Sequence, residues 1–89
     1  MMTEWTVVYA RRAEKDWEKV KRSNLRERVL ELLAILRVDP SATPPSFEAL
    51  VGELAGAYSR RINVQHRLDY EVSVSRRMVK VLSMWSRYE

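Results

Sequence analysis

The sequence predicts an α+β domain with the element order β-α-α-β-β-β, in which two helices cover one face of an antiparallel sheet. Three observations indicate this class: a β-branched and aromatic run near the start, two stretches with helical periodicity after it, and an alternating pattern in the last third. The chain has 89 residues, of which 46% are hydrophobic and 31% are charged. These fractions suit a folded chain, and the length suits one small domain over residues 1–89.

The first half of the chain supplies one strand and two helices. The run WTVVYA at residues 5–10 is rich in residues that favour strands. Helical spacing begins at Arg11, and the pair SN at residues 23–24 can cap a second helix. This second helix ends at Asp39, because a residue before proline avoids helical geometry. The apolar stripe of the first helix consists of Ala13, Trp17 and Val20. That of the second consists of Leu25, Val29, Leu32, Leu33 and Leu36.

The second half is predicted to be mostly strand. Residues 40–46, PSATPPS, form a loop, and residues 47–58 form a loop or short turn, because two glycines interrupt any regular element. Strands are expected near residues 59–63, 67–74 and 78–85. Over the first two of these strands, the apolar residues share one parity and are expected to face the core. They are Ile62, Val64, Leu68, Tyr70, Val72 and Val74.

Charge and residue usage narrow the range of functions. The net charge is +4, and most of the excess after residue 59 is arginine, which suits bidentate contacts with phosphate. A basic chain favours an anionic partner. The absence of cysteine and the single histidine argue against disulfides and a His/Cys metal site. No apolar run approaches the ~20 residues of a membrane span, and the start lacks the pattern of a signal peptide. We therefore expect a cytoplasmic protein that does not contact a membrane.

The basic residues of the late strands have two interpretations. Arg61 and Arg67 have the parity opposite to the apolar set, so they are expected on the open face of the sheet. There they form either an anion-binding surface or ordinary solvated side chains. His66 shares the parity of Leu68 and Tyr70. A structural role for this histidine is therefore favoured over a catalytic one.

Residues 54–70, LAGAYSRRINVQHRLDY, carry a more specific pattern. They fit the form L-x-G-x-x-S-R-R-I-x-x-x-H-R-L-x-Y without a gap. In this stretch the chain resembles the Txe/YoeB toxins of the RelE-like superfamily. The early strand with a tryptophan, the two helices, the DP pair and the aromatic C-terminal tail resemble that family too. The matching positions are Leu54, Gly56, Ser59, Arg60, Arg61, Ile62, His66, Arg67, Leu68 and Tyr70.

The resemblance implies a RelE-like, microbial-RNase-type fold and the toxin component of a type II toxin–antitoxin system. Such a toxin enters the ribosomal A site and cuts mRNA without a metal or cofactor. The ribose 2′-OH attacks the adjacent phosphate and leaves a 2′,3′-cyclic phosphate and a 5′-OH. The implied partners are a Phd/YefM-like antitoxin, the ribosome with its 16S rRNA and mRNA, and operator DNA only through the antitoxin complex. A homodimer is also compatible with the resemblance.

The same resemblance implies the residues of the site. Glu48 occupies the position of the general base, although Glu53 is a nearby competitor and a solvated loop acid is the alternative. Arg67 occupies the position that stabilises the phosphorane. Tyr88 matches a terminal tyrosine that holds or stacks a base, with a frayed tail residue as the alternative. The residues expected to contact RNA are Arg60, Arg61 and Lys80.

Arg87 is the main departure from the family, since it stands where the family has a histidine that acts as general acid. An arginine stays protonated at pH 7 and does not readily give up its proton. Arg87 could instead stabilise charge on the phosphate. The alternative function is that of a weakened or inactive toxin homologue, which acts as the antitoxin-binding partner in an autorepressor complex.

Overall fold

The computed structural model describes residues 4–87, except for the side chains of Ser86 and Arg87. The elements are β1 (Thr6–Tyr9), α1 (Arg11–Val20), α2 (Arg26–Val38), β2 (Phe47–Ala49), β3 (Ala57–Arg61), β4 (His66–Ser73) and β5 (Met78–Arg87). A short 3-10 turn at Gly52–Leu54 lies between β2 and β3. The predicted first strand, both helices and the three late strands are thus confirmed.

The strands form one five-stranded sheet in the order β1-β5-β4-β3-β2. The α+β class is confirmed, with two corrections to the sheet. Strand β1 runs parallel to β5, so the expectation of a wholly antiparallel sheet is wrong at this edge. The alternation of side chains along a strand does not encode its direction. Strand β2 forms where a loop or short turn was expected, because a strand of three residues is too short to show an alternating pattern.

The core lies between the helices and one face of the sheet. Both predicted helical stripes contribute to it, and Trp17 packs against it while partly buried. The parity of Val64 and Val74 predicts burial, but these side chains are 83% and 75% exposed because they lie in turns rather than in strands. The buried cluster consists of Ala13, Val20, Leu25, Val29, Leu32, Leu33, Leu36, Ile62, Leu68, Tyr70, Val79, Val81 and Met84.

The pairing of β4 with β5 determines which C-terminal residues lie beside the middle of the sheet. The pairing is regular from Met78 to Val81, then shifts by one residue at Ser83 and by another at Ser86, which lies opposite Arg67. Each shift is a β-bulge, in which one strand carries an extra residue and the ladder of hydrogen bonds is locally interrupted.

Candidate functional site

Glu48 and Arg67 form an ion pair across the end of the sheet. Glu48 is the middle residue of β2, Arg67 is the second residue of β4, and β3 lies between these strands. Glu48 Oε1 accepts a hydrogen bond from Arg67 Nη1 at 2.9 Å. The Arg67 side chain is only 15% exposed and that of Glu48 is 66% exposed, so the protein encloses the cation and leaves the carboxylate open to solvent. Glu53 lies instead in the exposed 3-10 turn, so the fold brings Glu48 to Arg67.

A cleft of about 440 Å³ opens beside this ion pair. Three arginines and one glutamate line it, so its charge is positive: Arg28, Arg61, Arg67 and Glu48. Ser59, which is fully buried, also lines the cleft, and its Oγ has no hydrogen-bond partner among the described residues. A positive cleft suits a phosphate group, because guanidinium groups bind phosphate oxygens strongly.

Arg28 and Ser59 are site residues to which the sequence analysis gave no role. Arg28 lies on α2, and its Nη1 donates to Glu31 Oε1 at 2.8 Å. Helical periodicity separates this arginine from the apolar stripe, but it does not say which polar residue of a helix meets a cleft in the sheet. Ser59 belongs to the family-like stretch, and its parity with Arg61 and Arg67 could have placed it on the face that carries the site.

Arg60 does not lie on the surface, as an RNA contact would require. Its side chain is fully buried, and the guanidinium donates to Tyr70 Oη at 3.0 Å, to the Pro40 carbonyl at 2.9 Å and to the Pro45 carbonyl. It also lies 4.9 Å from the centre of the Phe47 ring. The expectation that Arg60 contacts RNA is therefore wrong, because its parity is that of the core. Arg60 ties the 40–46 loop to the sheet and so helps to place β2.

The Arg60 contact also affects Tyr70, which is itself fully buried. Burial raises the pKa of Tyr70 above its ordinary value of 10.0, because the phenolate is poorly solvated there. The charge and hydrogen bond of Arg60 lower this pKa but only partly offset the effect of burial. The phenol therefore remains neutral and accepts from Arg60 at neutral pH.

Arg61 and Lys80 are both exposed but occupy different parts of the sheet. Arg61 is paired with Arg67 in the register and lines the cleft. Lys80 lies on β5 opposite Glu71, beside a separate depression that does not include Glu48 or Arg67. Arg61 therefore belongs to the candidate site by position, whereas RNA contact by Lys80 stays a prediction for a neighbouring surface.

His66 has the environment of a structural residue. It is 6% exposed, and its ring centre lies 4.4 Å from that of Trp85 with the planes tilted by 33°. This agrees with the parity that His66 shares with the core residues of β4. The structural interpretation of this histidine is therefore supported.

Of the two predicted catalytic residues at the C-terminus, the structure describes only the backbone of Arg87. The backbone of Arg87 pairs with His66, and that of Ser86 pairs with Arg67, while both side chains lie outside the described part of the structure. Tyr88 lies outside the described residues altogether. Catalytic roles for Arg87 and Tyr88 therefore stay predictions.

Within residues 4–87, no group of three or more acidic or histidine side chains is arranged to hold a metal ion. None of the helices in this range has the length and apolar character needed to cross a membrane.

Comparisons with solved structures identify relatives that cover nearly the whole chain. The YoeB/ParE toxin from Agrobacterium tumefaciens is 29% identical, with a TM-score of 0.83 over 93% of this chain and 99% of its own. The toxin in the YoeB–YefM complex from Staphylococcus aureus is 30% identical, with a TM-score of 0.77 over 94% and 98%. The YoeB dimer from Staphylococcus aureus is 26% identical, with a TM-score of 0.80 over 96% and 99%.

A more distant match shows the fold alone. It is the Escherichia coli DinJ–YafQ toxin–antitoxin complex, at 15% identity and a TM-score of 0.78 over 93% of this chain and 92% of the matched one. No protein-family model matches the chain, and no curated protein sequence is detectably similar to it. The identity to YoeB over almost all of both chains, with the shared fold, is sufficient to place it: this chain belongs to the YoeB family of toxins from toxin–antitoxin systems.

Proposed function

We propose that this YoeB-family toxin is a ribosome-dependent endoribonuclease that cuts mRNA in the A site by metal-independent attack of the ribose 2′-OH. The observation that carries the proposal is the Glu48–Arg67 ion pair at 2.9 Å, at the edge of a cleft lined by two more arginines. A carboxylate next to an enclosed cation offers a proton acceptor and a phosphate ligand within one nucleotide's reach.

The chemistry follows from the roles that these two groups can take. A scissile phosphate entering the cleft would compete with Glu48 for Arg67, since both are anions that bind a guanidinium. Glu48, released from the ion pair, would accept the 2′-OH proton as the 2′-oxygen bonds to phosphorus. Arg67 would stabilise the added charge of the phosphorane. The bond from phosphorus to the 5′-oxygen then breaks, leaving a 2′,3′-cyclic phosphate and, after protonation, a 5′-OH.

The C-terminal residues would complete the site. Tyr88 would hold or stack a base, and Arg87 would add positive charge near the phosphate. Because an arginine does not readily release a proton at pH 7, the proton for the 5′-oxygen would come from water. The loss of a dedicated acid predicts an enzyme that is slower than a relative with histidine at this position.

The surroundings of the cleft support binding to the ribosome. Arg28 and Arg61 would contact phosphates that flank the cut, and Lys80 would contact 16S rRNA on the neighbouring surface. Such an enzyme would act in the cytoplasm, where mRNA is translated.

An acidic antitoxin is the proposed protein partner. Related toxins have been solved as a YoeB–YefM complex and as a DinJ–YafQ toxin–antitoxin complex. A Phd/YefM-like chain would fold over the basic cleft and block it, and operator DNA would be bound only through this complex. A YoeB dimer is known from Staphylococcus aureus, which supports a homodimer as a further assembly.

Arg87 favours a second candidate function. If charge alone cannot replace the missing acid, the chain would be an inactive homologue that retains the antitoxin surface and acts in autorepression. Primer extension on mRNA from a translation reaction with the purified chain separates the two functions. Endoribonuclease function predicts toxin-dependent stops within codons held in the A site. An unchanged mRNA pattern, with antitoxin binding intact, would support the inactive homologue and exclude the nuclease.

A further inference from the structure

Asp16 is a buried acid that the proposed mechanism does not use. It lies on α1 and is 3% exposed. Its Oδ2 accepts the backbone N–H of Met84 at 3.0 Å, although the two residues are 68 positions apart. Arg12 Nε lies 3.3 Å from the same oxygen, and the Arg12 side chain is 62% exposed. The buried contact of Asp16 is therefore to the backbone of β5 and not to another side chain.

Met84 lies at the point where β5 loses its regular register with β4. The partner of Asp69 is Ser83, and the partner of Arg67 is Ser86, so three steps along β5 correspond to two steps along β4. The residues within this interval on β5 are Met84 and Trp85. Strand β1 pairs with β5 only as far as Val81, and the ladder with β4 is interrupted in this interval, so the buried N–H of Met84 needs another acceptor. Asp16 supplies that acceptor.

The bulges decide which residue comes opposite Arg67. If the pairing of Tyr70 with Val81 continued without shifts, Arg67 would lie opposite Met84. The two shifts bring Ser86 there instead, which displaces β5 by roughly 7 Å at about 3.3 Å per residue. Residues 87 and 88, which carry the predicted charge and base contacts, follow directly after this point.

We propose that Asp16 is a positioning residue, whose carboxylate holds the second bulge of β5 and so fixes the register in which the C-terminal residues meet Arg67. The effect on cleavage rests on the proposed function. The effect on register does not, because it concerns only the pairing of β4 with β5.

Two variants of the full chain distinguish whether Asp16 acts as a hydrogen-bond acceptor or through its negative charge. Asp16→Ala removes the acceptor, whereas Asp16→Asn keeps an oxygen at nearly the same place. Lys15→Ala, at the adjacent exposed position of α1, is the matched control. The register is measured by NMR through cross-strand contacts between Arg67 and Ser86. The hydrogen bond from Met84 to Asp16 is measured by amide exchange at Met84. In the parent it is also measured by the scalar coupling across that hydrogen bond.

The proposal makes a distinct prediction for each readout. In Asp16→Ala, exchange at the Met84 amide accelerates at least about tenfold relative to amides of β3, and the 67–86 contacts weaken or move to another residue. Cleavage by the folded enzyme loses about ten- to a hundredfold in kcat with KM changed by less than about threefold, because a small misplacement of reacting groups is costly. Asp16→Asn and Lys15→Ala keep the 67–86 contacts and stay within about threefold of the parent rate.

Three results would overturn the proposal. The first is an Asp16→Ala chain that is less stable yet retains the 67–86 contacts and the parent kcat, which would make Asp16 a purely structural residue. The second is an Asp16→Asn chain with altered register, and the third is a parent chain that shows no hydrogen-bond coupling between Asp16 and Met84. The last two can be measured even if Asp16→Ala does not fold. A parent that cuts no mRNA removes the proposed function but leaves the register measurements, and hence this proposal, decidable.

Discussion

Replacing Arg60 with methionine should destabilise the protein strongly, whereas the same change at Arg61 should not. The two arginines are adjacent, but Arg60 is fully buried and Arg61 is exposed. Methionine keeps most of the buried stem and removes the guanidinium. The change leaves Tyr70 Oη and the Pro40 carbonyl without their donor in the interior. The Pro45 carbonyl, which is only partly buried, can regain water.

The magnitude follows from these contacts. Two buried acceptors left without a donor cost about 1–3 kcal/mol each, and the lost contact with the Phe47 ring costs about 0.5–2 kcal/mol. Relief from burying a charge offsets part of this loss. We expect a net decrease of about 2–4 kcal/mol in the free energy of unfolding, against roughly 4–13 kcal/mol for a chain of 89 residues.

Urea denaturation followed by tryptophan fluorescence measures this difference. With a slope of about 1–3 kcal/mol per molar urea, the midpoint for Arg60→Met falls by roughly 0.7–4 M. Arg61→Met should stay within about 0.5 kcal/mol of the parent, as exposed substitutions usually do. Equal shifts for the two variants would refute the assignment of Arg60 to the core and would return it to the set of surface cations.

Three further predictions concern the general acid that Arg87 replaces, the antitoxin and the buried phenol. Arg87→His should raise the initial cleavage rate at least about tenfold by restoring an acid; a variant no faster than the parent, combined with an inactive Arg87→Ala, would show that Arg87 itself is the working residue. A YefM-like antitoxin should associate with the chain more slowly as the salt concentration rises. Arg61→Glu should lower the association rate more than Leu30→Ser on α2, which is the control. Partners that contact only the outer face of the helices would contradict this prediction. Because the pKa of Tyr70 is raised by burial, the folded state holds its proton more tightly than the unfolded state, so the free energy of unfolding should fall as pH rises above 10.0. Ultraviolet titration should accordingly show one late tyrosine that is absent from Tyr70→Phe. A difference between the two titration curves that is centred at the ordinary tyrosine pKa of 10.0 would exclude the shift.

The parts of the fold that sequence predicts are those with a local period. Both helices and the late strands follow from apolar spacing, and the face of Arg67 follows from alternation along β4. The direction of β1 relative to β5 leaves no local pattern in the sequence, so its parallel pairing is not predicted. Strand β2 is too short to show a period, so it is not predicted either. The bulges of β5 are hidden because that strand is apolar on both faces, which removes the contrast that would reveal an extra residue.

The site was predicted in part, and its errors have specific causes. Glu48 and Arg67 meet as the family resemblance implies, although they are 19 positions apart. Arg60 has the parity of Ile62, which predicts burial, although Arg60 was expected, with Arg61 and Lys80, to contact RNA. Arg28 lies on α2, which precedes the 40–46 loop in the chain. Its position beside the cleft depends on tertiary packing, which leaves no pattern in the sequence.

The most direct test of the proposed function is the initial rate of mRNA cleavage on programmed ribosomes by the parent, Glu48→Gln and Arg67→Ala. Glu53→Gln is the matched control, since this acid lies in the exposed turn away from the ion pair. Loss of a base or of the cation that stabilises the phosphorane should each lower the rate by about a hundredfold or more, while Glu53→Gln stays within about twofold. The parent should leave 2′,3′-cyclic phosphate and 5′-OH ends. A parent that does not cut, or Glu48→Gln and Arg67→Ala variants that cut as fast as the parent, would contradict the account.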